Sequence, residues 1–118
     1  MISHNILKDN YNGLELLESN SSNIFDNAIV NNSNAGLYLS QSNGNNITGN
    51  VMQNNIIGVL LSSSHMPNVL YHNDFIDNSI QVNDEGGNIW DNGCEENYWS
   101  DYDGTDLDGD GVGDTYLP

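Results

Sequence analysis

Apolar residues in this chain do not cluster. They return singly, at fixed places, among polar ones. Ile2, Ile24, Ile47 and Leu70 each begin a unit, and Asn5, Asn27, Asn50 and Asn73 follow three residues later. Leu7, Ile29, Met52 and Phe75 come two residues after that, and then Asn10, Asn32, Asn55 and Asn78. Gly13-Leu14, Gly36-Leu37 and Gly58-Val59 come next, with Leu16, Leu39 and Leu61 closing the pattern. The fourth unit lacks the glycine and ends in Ile80 and Val82. A period of about 22 residues is too short for a unit that buries a core of its own. Such units become stable by stacking, each coil covering the apolar residues of its neighbour.

Within a unit, the segments around Ile24, Ile29 and Leu37-Tyr38-Leu39 predict short strands with the apolar residue inward. Asn, Ser and Gly between them favour turns. Three strands per turn give a coil of roughly triangular section, and parallel stacking sets Ile over Ile and Asn over Asn. The asparagine columns are then expected to run amide to amide. Glycine before the third strand, with Asn12-Gly13 in the first unit, is expected to supply a backbone position at φ > 0. The predicted fold is all-β: a parallel β-solenoid of about five coils over residues 1–93, roughly 24 Å long at about 4.8 Å per coil. An irregular, acidic and aromatic cap follows over residues 94–118. Leucine-rich repeats share the period but need a denser run of leucines and a helical segment. A helical solenoid needs apolar spacings of three and four sustained over a dozen residues, and Gly and Asn interrupt every such window.

Composition agrees with this and narrows the partners. Asparagine occurs 22 times in 118 residues, which disfavours long helices because its side chain competes for backbone hydrogen bonds. Seventeen acids stand against one base, Lys8, for a net charge of −16. A chain with no Arg and one Lys cannot neutralise a phosphate backbone, so nucleic acid is excluded as a partner, and anionic membrane surfaces are disfavoured. Only four of the acids precede Asp74; the other thirteen lie from Asp74 onward, which marks the C-terminal third as chemically different. No stretch approaches the roughly 20 apolar residues of a membrane span, and the N-terminus is no signal peptide. Cys94 is the only cysteine, so no internal disulfide forms. The sequons at Asn20, Asn31 and Asn46 matter only if the chain is exported. The chain begins where a repeat begins, which suggests a piece of something longer. The bare edge of its first coil is expected to support end-to-end self-association.

Some segments carry a resemblance. Asn23-Ile24-Phe25-Asp26-Asn27, Leu70-Tyr71-His72-Asn73-Asp74-Phe75-Ile76-Asp77-Asn78, Gly87-Asn88-Ile89-Trp90-Asp91-Asn92-Gly93 and Gly104-Thr105-Asp106 resemble right-handed parallel β-helix proteins of the NosD-like group. That group is also described as carbohydrate-binding and sugar-hydrolysis (CASH) domains and is common in archaeal surface proteins. The tail Asn97-Tyr98-Trp99-Ser100-Asp101-Tyr102, followed by Asp108-Gly109-Asp110-Gly111-Val112-Gly113-Asp114, is the more specific part. The resemblance implies a right-handed β-helix and an extracellular or cell-surface location. The group's names refer to copper delivery and to sugar chemistry. Copper calls for clustered His, Met or Cys, and the candidates are His4, His65, His72, Met52, Met66 and Cys94.

A stronger metal signal lies in the tail. Asp106, Asp108, Asp110 and Asp114, with the Val112 carbonyl and Gly111 at the turn, have the oxygen spacing of a calcium loop. Leu117 stands where an EF-hand has its bidentate Glu, so affinity is expected to be modest unless Asp101 or Asp103 completes the shell. Trp90, Tyr98, Trp99 and Tyr102 are candidate ligand-contacting aromatics, since rings beside acids suit sugars. The competing expectation is that they cover the open end of the last coil. Asp74 with Asp77, and Asp84 with Glu85, are undistinguished carboxylate pairs for glycoside hydrolysis. No Ser-His-Asp or Cys-His arrangement stands out, and no catalytic residue is assigned. The function expected is a non-catalytic structural or adhesive module of a secreted or surface protein, with a Ca²⁺-stabilised cap. A carbohydrate-binding or carbohydrate-active domain is the alternative, and a copper-binding accessory protein the third reading.

Overall fold

The computed structural model describes residues 1–62, 66–93 and 97–101. Their thirteen strands are short and fall into three parallel sheets, and no helix occurs among the described residues. The first sheet stacks β1 (Ile2–Ser3), β4 (Asn23–Phe25), β7 (Asn46–Thr48) and β10 (Val69–Tyr71). The second stacks β2 (Ile6–Lys8), β5 (Ala28–Val30), β8 (Val51–Gln53), β11 (Asp74–Ile76) and β13 (Tyr98–Trp99). The third stacks β3 (Leu14–Leu17), β6 (Ala35–Ser40), β9 (Ile57–Ser62) and β12 (Ile80–Asp84). Each coil therefore gives one strand to each sheet. The solenoid makes about four turns, against the roughly five expected, and β13 together with a bridge from Val69 to Ile89 opens the next one.

The registers put like residues over like. Ile2, Ile24, Ile47 and Leu70 align along the first sheet, and Leu7, Ile29, Met52, Phe75 and Trp99 along the second. The third sheet contributes two inward columns, Leu14-Leu37-Val59-Val82 and Leu16-Leu39-Leu61. These columns are the core, and the inner residues of coils two and three are fully buried. These stacked columns are the only core among the described residues.

Three columns of buried asparagine run along the corners between sheets. In the first, Nδ2 of Asn5, Asn27, Asn50 and Asn73 donates to Oδ1 of Asn27, Asn50, Asn73 and Asn97 at 2.9 to 3.1 Å. In the second, Asn32 donates to Asn55 and Asn55 to Asn78, at 2.8 and 3.0 Å. In the third, Asn45 donates to Asn68 and Asn68 to Asn88, at 2.9 and 3.0 Å. Each acceptor oxygen also takes the backbone N–H of the asparagine one coil earlier, as Asn50 Oδ1 does from Asn27 at 3.0 Å. The second amide hydrogen goes to a strand carbonyl, such as Ile24 O for Asn50 and Ile29 O for Asn55. No buried side-chain nitrogen or oxygen among the described residues is left without a partner.

The ladders explain the glycines, and differently from the expectation. Gly13, Gly36 and Gly58 are absent from the positive-φ residues. Their role is space: a Cβ on Gly36 would lie 2.8 Å from Asn55 Nδ2 and 2.8 Å from the Gly58 carbonyl oxygen. Most corners are made by non-glycine residues at φ between 51° and 60°, among them His4, Asp9, Asp26, Asn31, Asn54, His72 and Asp77, while Gly44 (φ 66°) and Gly49 (φ 68°) precede Asn45 and Asn50. Asn, Asp and His tolerate this left-handed region better than other side chains. One such residue directly precedes the ladder asparagine in most coils, as in Asp26-Asn27 and Asn31-Asn32.

Substitutions separate ladder from surface. Asn50→Ala strands several buried partners, each worth about 1–3 kcal/mol, whereas Asn46→Ala removes one exposed bond of 3.4 Å. Urea denaturation is expected to show a loss of several kcal/mol for the first and a change within about ±0.5 kcal/mol for the second. The same contrast is expected between Gly36→Ala and Gly87→Ala, because a Cβ on Gly87 meets nothing within 4 Å.

Candidate functional site at the end of the coil stack

All three ladders point their amide hydrogens toward the C-terminal end. The last asparagine of each column therefore needs an acceptor that no further coil of the same type provides. Three different groups supply it.

The second ladder ends on Gln81. Ile80 pairs with Ile57 and Val82 with Val59, so Gln81 occupies the place that Gly58 has one coil earlier. Its side chain folds into the position of the next asparagine and accepts from Asn78 Nδ2 at 2.7 Å. Its own Nε2 donates to Phe75 O at 3.2 Å, Ser100 Oγ at 3.1 Å and Asp101 Oδ1 at 3.2 Å. The third ladder ends on Asp84, which stands opposite Leu61 and so continues an apolar column with a carboxylate. Asp84 Oδ1 accepts from Asn88 Nδ2 at 2.7 Å and from the Gly86 N–H at 2.9 Å; Oδ2 accepts from the Trp90 indole at 3.0 Å. In the first ladder, Asn97 Nδ2 donates to the Trp90 carbonyl and to that of Leu70, both at 3.1 Å.

These endings hold two tryptophans over the core. Trp99 pairs with Phe75 in β13 and stacks on its ring at 4.5 Å and 9°. Trp90 follows Ile89, which bridges Val69, so it continues the first-sheet column above Leu70. The two indoles lie 6.0 Å apart at 51°. Beside them is a cavity of about 480 Å³ lined, among the described residues, by Val82, Asp84, Asn88, Trp90 and Trp99. It sits where the leucine column of the third sheet gives out.

Of the candidate aromatics, the structure brings Trp90 and Trp99 together. Tyr98 is on the outer face of β13 and 58% exposed, so it does not join them. Tyr102 lies outside the described residues, as do Asp106, Asp108, Asp110, Val112 and Asp114 of the calcium-type loop. The copper candidates among the described residues do not converge. Met52 is fully buried in the core, Met66 is exposed, and His65 and Cys94 lie outside the described residues. His4 faces Asp26 at 3.6 Å, while His72 takes the same corner position two coils beyond Asp26. No group of three or more His, Cys, Asp or Glu among the described residues could hold a metal ion. Asp84 and Glu85 are adjacent on the chain, the first engaged by its three donors and the second exposed.

The residues that matter most here, Gln81 and Asp84, were not singled out by the repeat. The signal was present as a departure: a long polar side chain where glycine recurs, and an acid where leucine recurs. The family profile described as Periplasmic copper-binding protein (NosD) matches residues 1–104. No curated protein and no solved structure matches the chain.

Gln81→Gly returns the fourth unit to the repeat pattern yet removes the ladder's terminal acceptor. It is expected to lower stability by about 1–3 kcal/mol in urea denaturation. Ser79→Ala, at a neighbouring exposed position, is the control and is expected to have no measurable effect. A Gln81→Gly protein as stable as the parent would show that the ladder needs no terminator.

Proposed function

This chain belongs to the family of the periplasmic copper-binding protein (NosD), and on that premise we propose that it is a non-catalytic structural or adhesive β-helix module of an exported protein. The periplasmic description of the family is consistent with a place outside the cytoplasmic membrane. The observation that carries the reading is where the polar chemistry of the coils is used. Among the described residues no buried carboxamide lacks a partner, and the asparagine ladders spend this chemistry on holding one coil to the next. The copper of the family description supports no step here, because the described His and Met residues are spread over separate coils and corners.

The proposal includes a calcium-stabilised C-terminal cap. Its support is the carboxylate spacing of Asp106, Asp108, Asp110 and Asp114 with the Val112 carbonyl, together with the repulsion these acids suffer without a cation. Carbohydrate binding is the second reading. Exposed Tyr98 stands beside Asp74 in the second sheet, a ring and a carboxylate on one outer face, as sugar recognition uses them. At the other end, β1, β2 and β3 present unpaired strand edges, and the proposal extends to association of two copies through them.

The tests are independent. EDTA is expected to lower the melting temperature, and Asp108→Ala combined with Asp110→Ala is expected to remove that response; indifference to chelator would end the calcium reading. Binding on a glycan array that Tyr98→Ala abolishes would favour the second reading over the first. Light scattering at high concentration is expected to show a species larger than the monomer.

A further inference from the structure

The cavity beside Trp90 and Trp99 has an unusual chemistry for its size. About 480 Å³ is within the range of small-molecule sites, roughly 300–1,000 Å³. Its polar atoms among the described residues, however, are already engaged. Asn88 Oδ1 accepts from the Asn68 backbone N–H at 2.9 Å and from Asn68 Nδ2 at 3.0 Å. Asn88 Nδ2 donates to Asp84 Oδ1, with a second, longer contact of 3.5 Å to Gly86 O. The Trp90 N–H is held by Asp84 Oδ2. Three of the roughly four lone-pair sites of the Asp84 carboxylate are filled from within the protein.

A ligand recognised through hydroxyls or amides, such as a sugar, would find almost no free partner among the described residues here. What the lining still offers is different. It has two indoles, Trp90 half-buried and Trp99 buried with one face stacked on Phe75, the methyl groups of Val82, and a negative charge that does not depend on a free lone pair. That set is complementary to a cation that makes no hydrogen bonds of its own and is weakly hydrated. A cation gains from an aromatic face within about 6 Å of the ring centroid. The two centroids lie 6.0 Å apart, so one position in the cavity can be within that reach of both rings.

The position of Asp84 strengthens the argument. It stands in a column that is leucine in the three preceding coils, so the repeat gives up apolar packing to set a carboxylate there. Its three donors fix its orientation and that of the Trp90 ring together. The surroundings act in the same direction, since the acids of this −16 chain are concentrated from Asp74 onward, which raises the local concentration of cations.

We propose that the cavity lined by Trp90, Trp99, Asp84 and Val82 binds a quaternary ammonium group. The inference is independent of the calcium cap and of the carbohydrate reading, which uses the outer face at Tyr98. The group could arrive on a free solute or on a lipid headgroup, and the experiment separates the two.

Choline is titrated against the whole chain while tryptophan fluorescence is followed, with 3,3-dimethylbutan-1-ol as the uncharged isostere. Saturable quenching or enhancement is expected with choline and is expected to be at least tenfold weaker with the alcohol. Trp90→Leu and, separately, Asp84→Asn are expected to weaken choline binding tenfold or more. Asp84→Asn keeps two acceptor sites for the loop, and far-UV circular dichroism and the urea midpoint of each variant report whether the solenoid is intact. Retention on phosphatidylcholine vesicles but not on phosphatidylglycerol vesicles would assign a headgroup; binding of free choline without retention would assign a solute. No response to choline, an equal response to the alcohol, or undiminished binding by both folded variants would overturn the proposal.

Discussion

The structure depends on one constraint: a carboxamide buried at a corner of the coil must find all its hydrogen-bond partners in the neighbouring coils. Each asparagine oxygen takes two hydrogens from the coil before it, and each amide gives one hydrogen forward and one back to a strand carbonyl. Nothing but asparagine at the same place in the next coil meets that demand with the same geometry. The repeat follows from it. So does the glycine beside the second ladder, where a Cβ would collide with the amide of Asn32, Asn55 or Asn78. So does the left-handed residue that turns the backbone just before the asparagine enters the corner. An unpaired buried amide costs enough that the ladder tolerates few exceptions.

A one-way ladder has two unlike ends. Toward the C-terminus every column must terminate, and the chain changes residue type to do it. Along the second sheet the inward side chains run Leu7, Ile29, Met52, Phe75 and Trp99, so the column grows wider toward the last coil. Along the third sheet the reverse holds, as Leu16, Leu39 and Leu61 give way to Asp84. The tryptophans continue the first- and second-sheet columns, and the cavity lies between them and the end of the third sheet at Val82 and Asp84. Packing and ladder termination are thus solved by the same few residues. Asp84 closes a ladder, ends a core column and orients an indole at once.

The solenoid was legible because its period is carried by residues with no alternative role. Ile24 over Ile47 and Asn27 over Asn50 are visible as spacing alone, and spacing is what parallel stacking preserves. The glycines were legible as positions but not as causes. Their backbone angles are ordinary, and the close approach of Asn55 to Gly36 exists only once coils are stacked. Half of the end site was visible too, since Trp90 and Trp99 stand out in any reading. Their partnership was not, because Tyr98 and Tyr102 are equally aromatic and only the alternation of β13 turns Trp99 inward and Tyr98 outward. Gln81 and Asp84 look like ordinary surface residues until the register sets them over Gly58 and Leu61.

The same logic bears on what distinguishes one such protein from another. In the coils, the inner side chains are fixed by stacking and the corner asparagines by the ladders, so substitution there changes stability before it changes chemistry. Two kinds of position escape that rule: outward residues such as Tyr98, and residues at the point where repetition stops. At the C-terminal end the ladder leaves three donors to be satisfied, and the choice of acceptor is free in a way that no interior residue is. A carbonyl ends one ladder, a neutral amide the second, and a carboxylate the third. Only the last introduces a charge, and it does so at a half-buried position beside two indole rings. A neutral acceptor would have closed that ladder with less cost of desolvation. The carboxylate at position 84 is therefore the one terminator whose chemistry exceeds what the fold requires.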